Sequence, residues 1–339
     1  MSAETSLDDA ADLRPAASRV GVVIIGRNEG QRLQRCFDTL PPDVRQVVYV
    51  DSGSTDDSVA QALRRNVEVV ALDMSTPFTA ARARNAGFRR LLELRPGVEF
   101  VQFVDGDCEL LPGWLPRAVE ALAAEPHVAV ACGRLRERFP DASVYHRLCD
   151  LEWDGPEGDV LACGGIAMMR ATALRAAGGF TDRLIAGEEP ELCVRLRDQG
   201  HRIVKLGADM ALHDAAMTRF SQWAKRATRA GYGTAELAVL HPAAFRGEVR
   251  SMLLWGIAWP AITAATALAT GGLGLLLLAA YPAAWLRIAV RRRAGGAAWT
   301  DAALFASSCV LAKFWGARGV VKHRWHRVRG QHARLIEYK

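Results

Sequence analysis

Over residues 19–206, short apolar runs alternate with segments of helical period. Arg19 to Gly26 (RVGVVIIG) is a β-branched run and predicts a central parallel strand that stops at the polar stretch Arg27–Gly30. Apolar residues at 33, 36, 37 and 40 predict a helix that Pro41-Pro42 closes. Gln46 to Val50 predicts a second strand running into the polar turn Asp51–Asp57, where Ser54 or Thr55 is a candidate N-cap for the next helix. Val67–Leu72 and Val98–Val104 predict further strands, and Phe78–Leu94 and Leu115–Ala124 predict helices. The alternation argues for an α/β fold, a mostly parallel open sheet with helices on both faces. Ligands of such sheets bind at the carboxyl ends of the strands. Three polar clusters fall there: Arg27-Asn28-Glu29, Asp51–Ser54 and Asp105-Gly106-Asp107.

Beyond residue 127 the pattern loosens. His127–Cys132 predicts a strand that Arg134–Phe139 continues, and Tyr145–Asp154 is mixed, with two acids, Asp150 and Glu152. Gly164-Gly165 precedes an apolar strand, and a short helix over 172–177 closes at Gly178-Gly179. Leu192–Gln199 predicts a helix, so Glu188 and Glu189 lie at or just before its N-terminus, where the helix dipole stabilises negative charge. Arg202–Leu206 predicts a strand, followed by Ala211–Asp214 and a basic aromatic segment. Among the acids, Asp105 and Asp107 end a buried strand one residue apart. That pairing suits a cation, and it is also ordinary turn chemistry.

Residues 251–286 contain no Asp, Glu, Lys or Arg. This length fits a hairpin of two short membrane helices, roughly 251–270 and 272–290, broken at Gly271-Gly272. Trp255, Trp259, Tyr281 and Trp285 suit the membrane interfaces; Arg250 on one side and Arg287 and Arg291–Arg293 on the other keep both ends cytoplasmic. The competing reading is a buried helical pair in a soluble domain. Ala302–Val321 is apolar but holds Lys313 and Arg318 and runs into KHRWHRVRG, the pattern of a basic amphipathic helix lying on a membrane. Charge follows the same division. From Arg287 onward twelve Lys/Arg face two Asp/Glu, whereas the first 286 residues carry a net −4. The basic tail directly follows the apolar hairpin and no nucleic-acid motif is present, so an anionic membrane face is the expected partner and nucleic acid is not. The seven cysteines show no metal-ligand spacing and read as reduced thiols. The polar, acidic residues 1–18 lack the apolar core of a signal peptide and read as a disordered leader.

Six motifs, in order, give the chain a family resemblance. VGVVIIGRNEG, VVYVDSGSTDDS, ARARNAGF, VQFVDGDCEL, GGIAMMR followed by GGF, and GEEPELCVRLRDQGHRI together resemble the family 2 glycosyltransferases, which have the GT-A fold. The resemblance covers about residues 19–215, and the C-terminus looks like that of membrane-associated members that build polysaccharides or glycolipids. It implies a GT-A domain over 19–247, a membrane hairpin over 248–290 and a basic surface tail over 291–339. It implies a nucleotide-diphospho sugar donor, UDP first among the nucleotides, and a lipid-linked or glycan acceptor. Matched residue by residue, Asn28 and Glu29 line the nucleotide pocket, Asp51 bonds the base, and Arg84 and Asn85 lie near the diphosphate or base. Asp105 and Asp107 match the Asp-x-Asp pair that holds Mn²⁺ or Mg²⁺ against the diphosphate, Asp107 as the direct ligand and Asp105 on ribose or metal, and His213 matches a histidine that completes the site in some members. The family's base sits in a Glu-Asp pair opening a helix. Here the pair is Glu188-Glu189, so Glu189 replaces the aspartate and either glutamate could take the proton. Gln222-Trp223-Ala224-Lys225-Arg226 partly resembles the Gln-x-x-Arg-Trp motif of processive synthases but lacks its last Trp. Trp223 is then a candidate sugar platform and Lys225, Arg226 or Arg229 a candidate diphosphate contact, with a plain basic amphipathic helix at the membrane as the competing reading.

Two competitors remain at this level. A nucleotidyltransferase also uses acidic metal sites on an α/β sheet, but its Gly-rich basic phosphate loop is not found in Arg27-Asn28-Glu29-Gly30. A non-catalytic membrane protein binding nucleotides or lipid head groups would need no base at all.

Overall fold

The computed structural model describes residues 16–44 and 46–330; most of the expected leader, and residues 331–339 of the basic tail, lie outside them. The first half is built as its periodicity predicts. Strand β1 (Val20–Gly26) is followed by helix α1 (Gln31–Asp38), β2 (Val47–Asp51), α2 (Ser58–Arg64), β3 (Glu68–Ala71), α3 (Ala80–Leu94) and β4 (Phe100–Asp105). These strands pair in parallel in the order β3-β2-β1-β4. Along β1, Val22 and Ile24 point into one apolar cluster and Val23 and Ile25 into the other, on the opposite face of the sheet. Both faces are covered, which is why the strand is an unbroken apolar run.

The second half makes the sheet mixed. Strand β5 (Cys108–Leu110) and helix α4 (Trp114–Ala124) lead to β6 (Val128–Glu137), α5 (Val144–Trp153), β7 (Gly158–Asp159), β8 (Ala167–Arg170), α6 (Ala171–Ala176), α7 (Glu188–Asp198) and β9 (Arg202–His213). β8 runs antiparallel between β4 and β6, β9 runs parallel to β6, and β5 and β7 pair antiparallel with β9. An apolar run such as Ala167–Arg170 fixes burial but not direction, so the pattern could not foretell this reversal.

Several local expectations are revised. The expected cap at Ser54 or Thr55 is not formed: α2 starts after Asp57, whose side chain makes no capping bond, and Asp56 Oδ1 accepts from Ser58 N at 3.0 Å. The mixed stretch 145–154 is helix α5, N-capped by Ser143, whose hydroxyl accepts from His146 N. The strand expected at 202–206 continues unbroken to His213.

The remaining chain is helical: α8 (Phe220–Leu240), α9 (Pro242–Leu253), a π turn (Leu254–Ala258), α10 (Trp259–Ala269), a 3-10 stretch (Leu273–Ala279), α11 (Ala280–Ala294) and α12 (Trp299–Val328). Gly271 and Gly272 adopt positive φ, 59° and 104°, and turn the chain between the two apolar arms where the break was expected. Among the described residues, three helical segments are long and apolar enough to cross a membrane: Pro242–Ala269, Leu273–Ala294 and Trp299–Val328. The third is the segment read from the sequence as a surface helix. Within the fold it packs along α8, where a Cβ on Gly231 would stand 2.2 Å from the Gly316 carbonyl oxygen.

Candidate active site

Strand register brings the acidic motifs together. In the β1–β4 pairing Ile25 lies beside Asp105, in the β1–β2 pairing Gly26 lies beside Asp51, and in the β5–β9 pairing Cys108 lies beside His213. Asp107 and His213 therefore become neighbours although 106 positions separate them in sequence, and His213 Nε2 stands 3.4 Å from Asp107 Oδ2. Above these strand ends lies a cavity of about 760 Å³, a size that suits a nucleotide-sugar.

One side chain ties the floor of this cavity together. Arg84, on α3, is 3% exposed. Its Nη2 donates to Asp105 Oδ1 at 3.0 Å, and its Nη1 lies 2.9 Å from both Glu188 Oε1 and Glu189 Oε1. Burial works against its charge, but the carboxylates of Glu189, Asp105 and Glu188 outweigh that and hold the guanidinium above its ordinary value. The glutamates open α7, whose N-cap Gly187 takes φ 86°, so the helix dipole also faces them. Burial, and then the neighbouring charge of Glu188, raises the Glu189 carboxyl to about 7 against the pull of Arg84. A carboxyl so placed is ionised for part of the time near neutrality and can accept a proton.

The metal reading is tested by the donor set. Asp107, Cys108 and His213 offer ligand atoms within 4.8 Å of one another. Burial, then nearby carboxylate charge, holds the Cys108 thiol well above its ordinary range, so it stays protonated and donates to Asp107 Oδ1 at 3.4 Å. That leaves carboxylate oxygen and imidazole nitrogen, a set that fits Mn²⁺ or Mg²⁺. His213 is held from behind: the Trp153 ring meets it edge-on at 4.8 Å, and Glu137 Oε2 lies 3.8 Å from its Nδ1.

Of the residues singled out from the sequence, Asn28, Glu29, Arg84, Asp105, Asp107, Glu188, Glu189, His213 and Arg226 line the cavity. Asn28 takes φ 56°, and its Oδ1 accepts from Thr55 N at 2.7 Å, clamping the β1 and β2 loops. Glu29 pairs with Arg32 at 2.9 Å, and Arg226 pairs with Glu152 of α5 at 2.5 Å. Others do not line it. Asp51 accepts from Gly53 N, Ser54 N and the Tyr49 hydroxyl, which is turn-building work. Asn85 bonds Phe180 and Asp182 and so anchors the loop ahead of α7. Trp223 is buried and stacks on Phe220 at 5.6 Å, so it offers no open platform for a sugar.

The structure adds residues that the motifs did not reveal. Gly165 approaches the Arg84 knot so closely that a Cβ there would stand 2.6 Å from Arg84 Nη2 and 3.1 Å from both Asp105 Oδ2 and Glu189 Oε1. Trp153 also lines the cavity, as does Arg229, which was already a candidate diphosphate contact, whereas Lys225 does not. The Gly-Gly pair was the only signal for Gly165, and nothing in the sequence marked Trp153, because α5 was not recognised as a helix.

The comparisons with known proteins agree with this geometry. Residues 21–175 match the model of Glycosyl transferase family 2. Over these residues the chain is similar to the family 2 glycosyltransferases. Pre-mycofactocin glycosyltransferase of Mycobacterium tuberculosis (strain ATCC 25618 / H37Rv) is 29% identical over 244 residues, covering 67% of this chain and 49% of that protein. The chain thus spans about half the length of this mycobacterial relative. Glycosyltransferase AglE of Haloferax volcanii is 24% identical over 251 residues, covering 70% of this chain and 79% of that protein. Among solved structures, mannosyltransferase PcManGT from Pyrobaculum calidifontis, in complex with GDP-Man and Mn²⁺, superposes with a TM-score of 0.62 at 19% identity over 95% of this chain and 92% of that one. The shared fold is GT-A, and the superposition takes in the C-terminal helices as well as the sheet.

Proposed function

We propose that this chain is an inverting glycosyltransferase that moves a sugar from a nucleotide-diphospho sugar to a hydroxyl of a lipid-linked or glycan acceptor, at the cytoplasmic face of a membrane. One observation carries the reading: Arg84 joins Asp105 to the Glu188–Glu189 pair within a cavity that also holds Asp107 and His213. Asp107 and His213, with Asp105, would hold a divalent cation, Mn²⁺ or Mg²⁺, which neutralises charge on the leaving diphosphate. Asn28 and Glu29 line the cavity and would border the nucleotide, and Arg226 and Arg229 bring positive charge to its lining.

Glu189 is the base. Its raised carboxyl takes the proton of the attacking acceptor hydroxyl, and displacement of the nucleoside diphosphate in line inverts the anomeric carbon. Glu188 is 5% exposed and serves chiefly to hold Arg84, which in turn fixes Glu189 against Asp105. The family resemblance puts UDP first among the nucleotides, whereas the superposed mannosyltransferase was solved with GDP-Man. A donor screen should therefore run both series. Purified full-length protein is expected to release nucleoside diphosphate from one donor only with Mn²⁺ or Mg²⁺ present. Asp107→Ala should abolish that release while the protein remains folded. Metal-independent donor binding without turnover would instead mark a non-catalytic nucleotide-binding protein.

A further inference from the structure

A second cavity, of about 270 Å³, lies away from the catalytic one, at the base of the apolar hairpin between α11 and α12. Arg287 and Arg291, one helical turn apart on α11, face it together with Lys313 of α12, and none of its lining residues is acidic. Among the described residues neither arginine is ion-paired, whereas neighbouring Arg292 turns away to the carbonyls of Leu151 and Asp154 on the catalytic domain. Lys313 reaches only a neutral partner, donating to Ser251 Oγ at 3.0 Å. The remaining wall is apolar, with Trp255 and Tyr281 beside Ala284, Ile288, Cys309 and Val310. Tyr281 donates to the Trp255 carbonyl at 2.6 Å, and the two rings meet edge-on at 5.8 Å.

Three cations gathered in one cavity without a counter-ion repel one another, and a bound anion relieves that repulsion. The level of the cavity says where the anion comes from. Below it the hairpin exposes Leu268, Leu273 and Leu276, each at least 70% exposed, which an acyl layer would cover. Above it Arg292 contacts the catalytic domain. Trp, Tyr and Arg at such a boundary mark the head-group layer, and basic pockets between membrane helices hold anionic head groups.

We propose that this cavity binds the phosphate of an anionic membrane phospholipid, with Arg287, Arg291 and Lys313 as its ligands, and that the bound lipid seats the catalytic domain on the bilayer. The proposal rests on the hairpin entering the membrane, and not on the identity of the sugar or of the base. The test uses the full chain in neutral detergent, with lipid retention read by native mass spectrometry and melting followed alongside. The parent protein is expected to retain phosphatidylglycerol in preference to phosphatidylcholine. Arg287→Gln with Arg291→Gln should weaken that retention about 25-fold, at about fivefold per lost cation near a membrane surface. Arg293→Gln with Lys322→Gln removes the same charge outside the cavity and should leave retention unchanged. Equal loss in both pairs, or equal retention of phosphatidylcholine, would overturn the proposal in favour of diffuse attraction. So would inorganic phosphate reproducing the whole melting shift, which would make the cavity a site for a free anion. Donor turnover measured on the same proteins separates this failure from failure of the catalytic reading, because neither arginine touches the catalytic cavity.

Discussion

At the residue scale, the chemistry converges on Arg84, a cation held by three carboxylates at 2.9–3.0 Å. Glu189→Gln should lower turnover at least 100-fold with little change in donor affinity, because a positioned base contributes about 10²–10⁴-fold. Full activity in Glu189→Gln would move the base to Glu188. The raised carboxyl also has a stability consequence. Glu189 titrates near 4.5 when unfolded and near 7 in the fold, so the folded state holds the extra proton between those values. Stability attributable to this group therefore falls as pH rises from about 4.5 to about 7, and stays low above that. In metal-free buffer Glu189→Gln should be more stable than the parent at pH 8, by on the order of 3 kcal/mol, with the gain gone near pH 4. Thermal melts at the two pH values check the sign; a Glu189→Gln protein less stable at pH 8 would contradict it. Gly165→Ala tests the close approach separately. Its Cβ would stand 2.6 Å from Arg84 Nη2, so activity should drop at least tenfold while the stability loss stays within about 1–3 kcal/mol. These three tests also mark the limit of sequence reading. The acids were legible because each follows a strand or opens a helix, but the burial of Arg84 and the crowding at Gly165 arise only from contacts between distant segments.

At the scale of elements, β1, β2 and β4 were legible because each is a run of almost entirely buried residues, and α1, α3 and α4 because each shows an apolar stripe. Beyond α4 the signal weakened for physical reasons. α5 mixes apolar and charged positions because it packs inward through Leu148 and Cys149 while Arg147 reaches Asp301 of α12. The long β9 was hidden because its middle is only partly buried, which removes the apolar run. The α8–α12 crossing was invisible for another reason: Gly231, Gly316 and Gly319 lie on helices far apart in sequence and matter only as a pair of backbones in close approach. Gly231→Ala would press a Cβ to 2.2 Å from the Gly316 carbonyl oxygen, so the helices must part, at about 1–3 kcal/mol. A lowered melting temperature with donor binding retained is the expected result.

At the scale of the whole molecule, the catalytic sheet and the apolar helices form one body. α12 packs along α8, and its Leu304, Ala312 and Trp315 pack against the cluster around Trp223. A chain cut after residue 247 would strip this cover from α8 and is expected to aggregate rather than yield a soluble domain. Replacing residues 257–279 with a short Gly/Ser linker keeps α12 and should preserve the fold while weakening carbonate-resistant membrane association. The central claim concerns chemistry and is tested most directly by metal-dependent donor turnover. Purified full-length protein would be incubated with UDP- and GDP-sugars and a membrane-lipid extract, with nucleoside diphosphate release measured with and without Mn²⁺. The account predicts Mn²⁺-dependent release from one donor, lost in Glu189→Gln and in Asp107→Ala. Release that survives both substitutions, or that needs no divalent cation, would contradict it.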